Sequence, residues 1–294
     1  MLCNLCPRNC NTDRSRHVGF CGVGDTSYVA RSALHMWEEP CISGKNGSGT
    51  IFFCGCNLRC IFCQNHDIST APSYRDAIPV DAHRLCELML SLQDADAHNI
   101  NLVTPTPHIH VIAQAVALAK LSGLRIPVVF NTNSYVNADA LEKLDGLVDI
   151  YLPDLKYVTP ALAKLVSAAE NYPSAALSAI KEMYRQTGTL TLDTDGMAQS
   201  GVLIRHLVLP GNIDETRRVL AAISKNFTTD MHISLMSQYF PSHRAEQMPP
   251  FDRRLLPREY KRAVDYALSL GFEHVYTQML DSAQSAYVPQ WGVF

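Results

Sequence analysis

Cys56, Cys60 and Cys63 form a C-x3-C-x2-C pattern on one short segment of the chain. Thiolates at this spacing can bind three irons of a [4Fe-4S] cluster, and the fourth iron then has no protein ligand. Such an iron is open to a small molecule that chelates it. His66 follows Cys63 by three residues, so a zinc site with three cysteines and one histidine is the alternative. The spacing is compatible with both sites.

A second group of cysteines lies near the N-terminus, where Cys3, Cys6, Cys10 and Cys21 place four thiols within 19 residues. A segment so short and polar cannot fold around an apolar core of its own, so we expect a metal to organise it. One interpretation is a second [4Fe-4S] cluster that relays electrons to the first, and the other is structural zinc. The spacing favours neither metal.

All ten cysteines lie in the first third of the chain, at positions 3, 6, 10, 21, 41, 54, 56, 60, 63 and 86. In a reducing compartment, cysteines grouped in this way are more often metal ligands than disulfides.

The N-terminus lacks the apolar core of a secretory signal, and the mostly apolar stretch 111–121 is shorter than the ~20 residues of a membrane span. We therefore expect a cytoplasmic protein without a membrane partner. The net charge of −3, from 25 basic and 28 acidic residues, indicates no nucleic-acid partner.

From about residue 50 the sequence alternates short β-branched segments with amphipathic ones. The pattern predicts strands at 50–53, 100–103, 126–130, 148–152, 204–209, 231–236 and 273–279, and helices at 80–92, 111–119, 137–144, 160–169, 174–187, 214–226 and 258–270. Ser174 is the predicted N-cap of its helix, and Asp195-Gly196 predicts a hairpin turn. Strands that alternate with helices predict a parallel sheet with right-handed crossovers.

The predicted fold is α/β, a partial (β/α)6 TIM-like barrel, because six or so strand–helix units are fewer than the eight of a complete barrel. A doubly wound sheet is the alternative. Residues 1–48 are the predicted cysteine-rich metal-binding extension, and residues 49–294 are the barrel. In either fold, functional groups lie just after the carboxyl ends of the strands. Segments 56–63, 104–106, 131–133, 154–156 and 210–211 all occupy such positions, so we expect them to converge.

The cysteine loop and its surroundings resemble a known family. Residues 56–63 look like the signature of the radical S-adenosylmethionine (SAM) superfamily, and the segment 49–65 resembles homologues of pyruvate formate-lyase activating enzyme. The resemblance continues over 39–44, 98–106, 149–156 and 204–211. It implies that the open iron binds SAM and that one electron cleaves SAM to methionine and a 5′-deoxyadenosyl radical, which abstracts hydrogen from a substrate.

The same resemblance implies roles for residues beyond the cysteines. Asp154 and Lys156 match an Asp-x-Lys motif that contacts SAM, and a lysine ammonium suits the methionine carboxylate. Arg205 matches an arginine that contacts SAM. From the residues alone, a surface salt bridge between Asp154 and Lys156 and a core ion pair at Arg205 are the alternatives.

Two further segments depart from the family pattern. Asn133 matches the asparagine of a Thr-Asn-Gly motif, but Ser134 replaces the glycine. Thr104 and Thr106 stand where activating enzymes carry a Gly-Gly-Glu motif that holds the SAM amino group. Their hydroxyls are the predicted replacement for that glutamate.

The sequence thus predicts a radical SAM enzyme with an unidentified substrate. Activation of a glycyl radical enzyme is one candidate role, and modification of a small molecule or another peptide is the other. The expected electron donor is a protein of the flavodoxin or ferredoxin type. The alternative is a protein that is not a SAM enzyme. Zinc or an iron–sulfur cluster would then stabilise its fold, and the protein would bind a partner or carry electrons without SAM chemistry.

Overall fold

One sheet of ten strands dominates the computed structural model, which describes residues 2–70, 76–280 and 289–294. The strands are β1 (Ser27–His35), β2 (Ser48–Phe53), β3 (Ile78–Val80), β4 (Ile100–Val103), β5 (Val128–Thr132), β6 (Ile150–Pro153), β7 (Thr191–Leu192), β8 (Ala198–Leu207), β9 (His232–Met236) and β10 (Val275–Thr277). Their order across the sheet is β10-β9-β8-β6-β5-β4-β2-β1-β3, and β7 pairs with β8.

From β2 to β10 along this order, neighbouring strands are parallel. Strands β4, β5 and β6 are buried along their whole length, as expected for central strands of a parallel sheet. The parallel sheet confirms the α/β prediction. It also places the carboxyl ends of β2, β4, β5, β6 and β8 at one edge, where the predicted functional segments follow.

Helices connect most of these strands, and their bounds agree with the predicted ones within a few residues. They are α1 (Pro40–Ser43), α2 (His66–Ser69), α3 (Ala82–Asp94), α4 (Ile109–Leu121), α5 (Ala138–Leu141), α6 (Pro160–Ser167), α7 (Tyr172–Thr187), α8 (Ile213–Asn226) and α9 (Pro257–Ser269). The predicted N-cap Ser174 is wrong because α7 begins two residues earlier, at Tyr172. Pro173 lies in the first turn of α7, where the missing proline N–H costs no helical hydrogen bond.

The N-terminal part contributes more to the sheet than the sequence pattern indicated. Strand β1 pairs antiparallel with β2 on one side and with β3 on the other. Gly292 and Val293 continue that second edge through hydrogen bonds to Ala30 and Ser32. The division at residue 48 stays a prediction, although the residues before it supply a strand to the same sheet.

Residues 2–26 contain neither a helix nor a strand, apart from an isolated bridge between Leu2 and Asp13. Leu5 is nevertheless buried in the main apolar core, and its carbonyl accepts a hydrogen bond from Asn137 N–H. The segment is thus anchored against the barrel rather than detached from it. Within the described ranges, we find no helix long and apolar enough to cross a membrane.

Candidate active site

The cysteine loop follows β2 directly and presents the thiols of Cys56, Cys60 and Cys63. Each cysteine is partly exposed, but protein atoms surround the sulfurs of Cys56 and Cys63. Burial raises the pKa of Cys56 to about 12 and that of Cys63 to about 11, and the nearby Cys60 thiol adds to both shifts. The three thiols therefore lie close enough to interact, and metal binding has to displace their protons.

Each of the three sulfurs also has a polar neighbour from a different element of the fold. The contacts are Asn133 Nδ2 to Cys56 Sγ at 3.4 Å, Ser167 Oγ to Cys60 Sγ at 3.1 Å, and Ser69 Oγ to Cys63 Sγ at 3.4 Å. Hydrogen bonds of this kind stabilise thiolates and tune the reduction potential of an iron–sulfur cluster. The donor set and its polar neighbours fit a cluster bound by three cysteines.

His66 is not directed at these sulfurs. Its Nδ1 lies 3.2 Å from the Cys63 carbonyl oxygen, its Nε2 lies 3.3 Å from Asp67 Oδ1, and its ring stacks on His243. Among the described residues, no three His, Cys, Asp or Glu side chains are placed to share a single metal ion. A cubane attaches each thiolate to a different iron, so its ligands need not converge on one point.

An ion-pair network lies next to the loop, at the ends of β6 and β8. Lys156 Nζ lies 2.7 Å from Asp154 Oδ2, and Arg205 Nε donates to Asp154 Oδ1 at 3.1 Å. Burial alone would raise the pKa of Asp154, but Lys156 and Arg205 outweigh it, and the net pKa lies below the ordinary value. Lys156 also interacts with Cys60 and Cys63. The structure thus brings this predicted trio together beside the cysteines.

Two further acids, which the sequence analysis did not single out, join the network. Glu38 Oε2 lies 3.2 Å from Arg205, and Glu38 Oε1 accepts from Asn101 at 3.2 Å and from Asn131 at 3.3 Å. Glu39 is 6% exposed, and its Oε2 has no hydrogen-bond partner. Burial raises the pKa of both glutamates.

The network accordingly places three carboxylates, from Glu38, Glu39 and Asp154, against two cations. For the part of the network formed by Glu38 and Glu39, the sequence signal was a pair of adjacent acids just before Pro40. That signal is weak, because adjacent acids are common on solvated surfaces.

Thr104, Thr106 and Asn133 lie at the same edge but have different surroundings. Thr106 Oγ1 lies 3.2 Å from Thr132 Oγ1, and both residues are buried. Thr104 adopts φ +59°, an unusual conformation for a β-branched residue and one that is found at functional sites. Ser134 has φ +63°, so the serine adopts the left-handed conformation for which the family pattern has glycine.

A cavity of about 390 Å³ opens beside the ion-pair network. Glu38, Glu39, Asn131 and Arg205 line one part of it, and Gln64, directly after Cys63, lines another. This volume lies within the range of small-molecule sites, roughly 300–1,000 Å³. The cavity therefore adjoins both the ion-pair network and the end of the cysteine loop.

The N-terminal cysteines also approach one another. The thiol of Cys21 interacts with those of Cys3 and Cys10, and the thiol of Cys6 interacts with those of Cys3 and Cys21. All four are free cysteines. The structure therefore brings the four thiols into one neighbourhood, as the sequence spacing predicted. The binding of a metal by these thiols stays a prediction.

Comparisons with known proteins show relatives in sequence and in fold. An uncharacterized protein of Methanocaldococcus jannaschii is 31% identical over 283 residues, which cover 93% of this chain and 76% of that protein. Streptococcus suis SuiB, solved with bound S-adenosylmethionine, has a similar fold, with a TM-score of 0.53 and 13% identity over 78% of this chain. This chain covers 49% of SuiB, about half its length.

The family model of the Radical SAM superfamily matches residues 50–223. That range contains the cysteine loop and the whole Asp154–Lys156–Arg205 network. Members of the superfamily are enzymes that use a [4Fe-4S] cluster and S-adenosylmethionine, and the three thiols provide the donor set that such a cluster requires. The chain belongs to the Radical SAM superfamily.

Proposed function

We propose that this protein cleaves S-adenosylmethionine reductively and uses the resulting 5′-deoxyadenosyl radical to abstract hydrogen from a substrate bound in the 390 Å³ cavity. Cys56, Cys60 and Cys63 would hold a [4Fe-4S] cluster, which would supply the electron that breaks the sulfonium carbon–sulfur bond. The observation that carries the proposal is that Arg205 lines this cavity while Asp154 joins Arg205 to Lys156, at 3.1 Å and 2.7 Å.

The ion-pair network has the chemistry to bind the methionine part of SAM. The Lys156 ammonium suits a carboxylate, while the carboxylates of Asp154 and Glu38 suit an ammonium or a ribose hydroxyl. Arg205 holds both carboxylates in place through its contacts with them. We assign Thr104 and Thr106 as hydroxyl contacts to the same ligand, and Asn133 as a donor to the Cys56 sulfur.

The apolar side chains around the loop limit the access of water to the site. Phe62 is 7% exposed and packs edge to face against Tyr239, with ring centroids 5.6 Å apart. The Tyr239 hydroxyl donates to the Phe251 carbonyl oxygen at 2.6 Å, so this ring is fixed in the wall. Excluding water strengthens the ionic contacts in the site and protects a reactive radical.

The proposed substrate is a small molecule or a peptide segment that fits the cavity. A backbone glycine of a glycyl radical enzyme is the second candidate, and it is supported by the resemblance over residues 49–65. The N-terminal cysteines belong to the proposal as a second metal centre, either a [4Fe-4S] cluster or zinc. A cytoplasmic protein of the flavodoxin or ferredoxin type is the proposed electron donor.

Anaerobic reconstitution with iron and sulfide, followed by dithionite and SAM, tests this function. We expect 5′-deoxyadenosine and methionine from the wild-type protein and from Cys86→Ala, whose thiol lies in α3, away from the loop. Cys60→Ala removes one loop ligand and should abolish both products. Stoichiometric zinc without SAM cleavage in the wild type would instead favour the binding or electron-carrier protein.

A further inference from the structure

The sulfurs of Cys10 and Cys21 lie close to each other, on either side of Gly19. A Cβ atom added to Gly19 would lie 3.6 Å from both sulfurs, so the two sulfurs are within about 7 Å of each other. The electrostatic interactions of Cys21 with Cys3, and of Cys6 with Cys3 and Cys21, place the other two thiols in the same neighbourhood.

Hydrogen-bond donors surround the same sulfurs. Phe20 N–H donates to Cys10 Sγ at 3.3 Å, and Arg14 Nη2 lies 3.6 Å from Cys21 Sγ. A backbone donor and a nearby guanidinium stabilise the negative charge of thiolates that bind a cluster. The sulfurs of both cysteine groups therefore have the same kind of surroundings.

Asn57 joins the two groups directly. Its backbone is bonded to Cys56, and its carbonyl oxygen accepts from Arg8 Nε at 3.0 Å. Its buried side chain accepts from Asn133 Nδ2 at 3.0 Å, and the same Nδ2 donates to Cys56 Sγ. A path of covalent and hydrogen bonds thus leads from Cys6 along the chain to Arg8, and from Arg8 through Asn57 to Cys56.

A second contact fixes the distance between the groups. Gly55 has φ +82°, and a Cβ atom there would lie 2.8 Å from the Cys21 carbonyl oxygen and 2.6 Å from Val23 Cγ2. Only glycine allows this approach without displacing backbone. The loop that holds Cys56 and the segment that holds Cys21 are in van der Waals contact at this point.

From these contacts we infer that Cys3, Cys6, Cys10 and Cys21 bind a second [4Fe-4S] cluster that passes electrons through Asn57 to the cluster at Cys56, Cys60 and Cys63. The inference rests on the proposed function, because it assigns the electron supply of the same reaction. A low-potential donor of the ferredoxin or flavodoxin class gives up one electron and is oxidised. The N-terminal cluster takes up that electron and returns to its oxidised state when the electron moves to the first cluster, without bond or proton transfer.

Metal analysis tests the site independently of SAM chemistry. In the Cys56→Ala/Cys60→Ala/Cys63→Ala protein, we expect about four irons and four sulfides per chain, with the Mössbauer spectrum of a cubane. In Cys3→Ser/Cys10→Ser, the wild-type content of about eight irons should fall to about four. Zinc in place of iron at the N-terminal site, or no metal there, would overturn the inference even if the wild type cleaves SAM. Failure of the wild type to cleave SAM with dithionite would count against the proposed function alone.

The relay has its own pair of variants. Arg8→Leu removes the hydrogen bond to the Asn57 carbonyl, whereas Asn137→Leu removes a different tie of the N-terminal segment, the contact of Asn137 with the Asn4 carbonyl at 2.7 Å. With reduced ferredoxin as donor, we expect 5′-deoxyadenosine to form about tenfold more slowly in Arg8→Leu than in Asn137→Leu, at equal iron content. Equal rates would overturn the relay.

Discussion

Arg205 Nε donates to Asp154 Oδ1 over 3.1 Å, and the backbone of Asp154, just past the end of β6, also pairs with that of Arg205 near the carboxyl end of β8. The guanidinium contacts Glu38 Oε2 at 3.2 Å as well. Arg205 thus compensates acids that reach the site from two distant parts of the chain. The Arg205 side chain is 12% exposed, so solvent cannot take over this role.

Arg205→Leu should lower the free energy of unfolding by about 3–5 kcal/mol, because it leaves buried carboxylates without their cation. Denaturant unfolding of the anaerobically prepared protein measures the change. Arg84→Leu, which removes an exposed partner of Glu87, is the control and should cost under about 1 kcal/mol. Similar losses in the two variants would show that the network contributes no more than a surface pair.

Glu39→Gln should raise the free energy of unfolding at neutral pH. Burial raises the pKa of Glu39 above the ordinary value of 4.5, so the folded protein favours the protonated carboxyl group. The stability that this group contributes is therefore present below pH 4.5 and is lost as the pH rises through the folded-state pKa. Glutamine keeps the size and removes the excess charge, so we expect about 1 kcal/mol more stability at pH 7.5 than in the wild type. The difference should shrink towards pH 5, and a difference that does not depend on pH would exclude this cause. Glu87→Gln on the surface serves as the control.

Lys156→Met should weaken the binding of SAM by about 10- to 100-fold, because it removes the cation assigned to the methionine carboxylate. Calorimetric titration of the oxidised, reconstituted protein measures affinity without turnover. Lys164→Met is the matched control, since Lys164 pairs with Glu170 at the surface. Equal affinities in the two variants would remove Lys156 from the SAM site.

His206 should make the protein less stable in mild acid. Burial lowers its pKa from 6.5 to about 4, while its ring contacts the Leu155 carbonyl oxygen and Thr216 Oγ1. The unfolded chain takes up this proton first, so stability falls as the pH drops from 6.5 towards 4. Between pH 7.5 and 5, the wild type should lose about 2 kcal/mol more than His206→Gln in denaturant unfolding. The exposed His83→Gln variant should follow the wild type, and a parallel fall in His206→Gln would contradict the assignment.

The sequence predicted those parts of the fold that depend on local patterns. Hydrophobic period and β-branched runs identified β2, β4 and the helices around them, because each segment carries its own pattern. Strand β1 was missed because Arg31 and Ser32 interrupt its apolar residues, and its pairing with β2 and β3 is a tertiary property. Ser174 was misassigned because the sequence does not reveal that Pro173 lies inside the first turn of α7.

In the candidate site, too, the sequence predicted what local patterns determine and missed contacts between distant segments. Asp154 and Lys156 follow a predicted strand, so position in the pattern was enough to place them at the site, whereas Arg205 lies within β8 and was identified by the family resemblance. Glu38 precedes the first predicted strand, and its partner Arg205 lies 167 residues later, so only the folded chain connects them. The role of Asn57 likewise depends on how residues 2–26 fold back against the loop.

Gly55 has a consequence for protein engineering. Because a Cβ atom on Gly55 would overlap the Cys21 carbonyl oxygen, the loop that follows β2 is shaped in part by a residue 34 positions upstream. Grafting residues 56–63 into another barrel would leave that loop without the surface that supports it. A transplant that retains the chemistry should therefore carry residues 2–26 along with the loop and keep glycine at the crossing point.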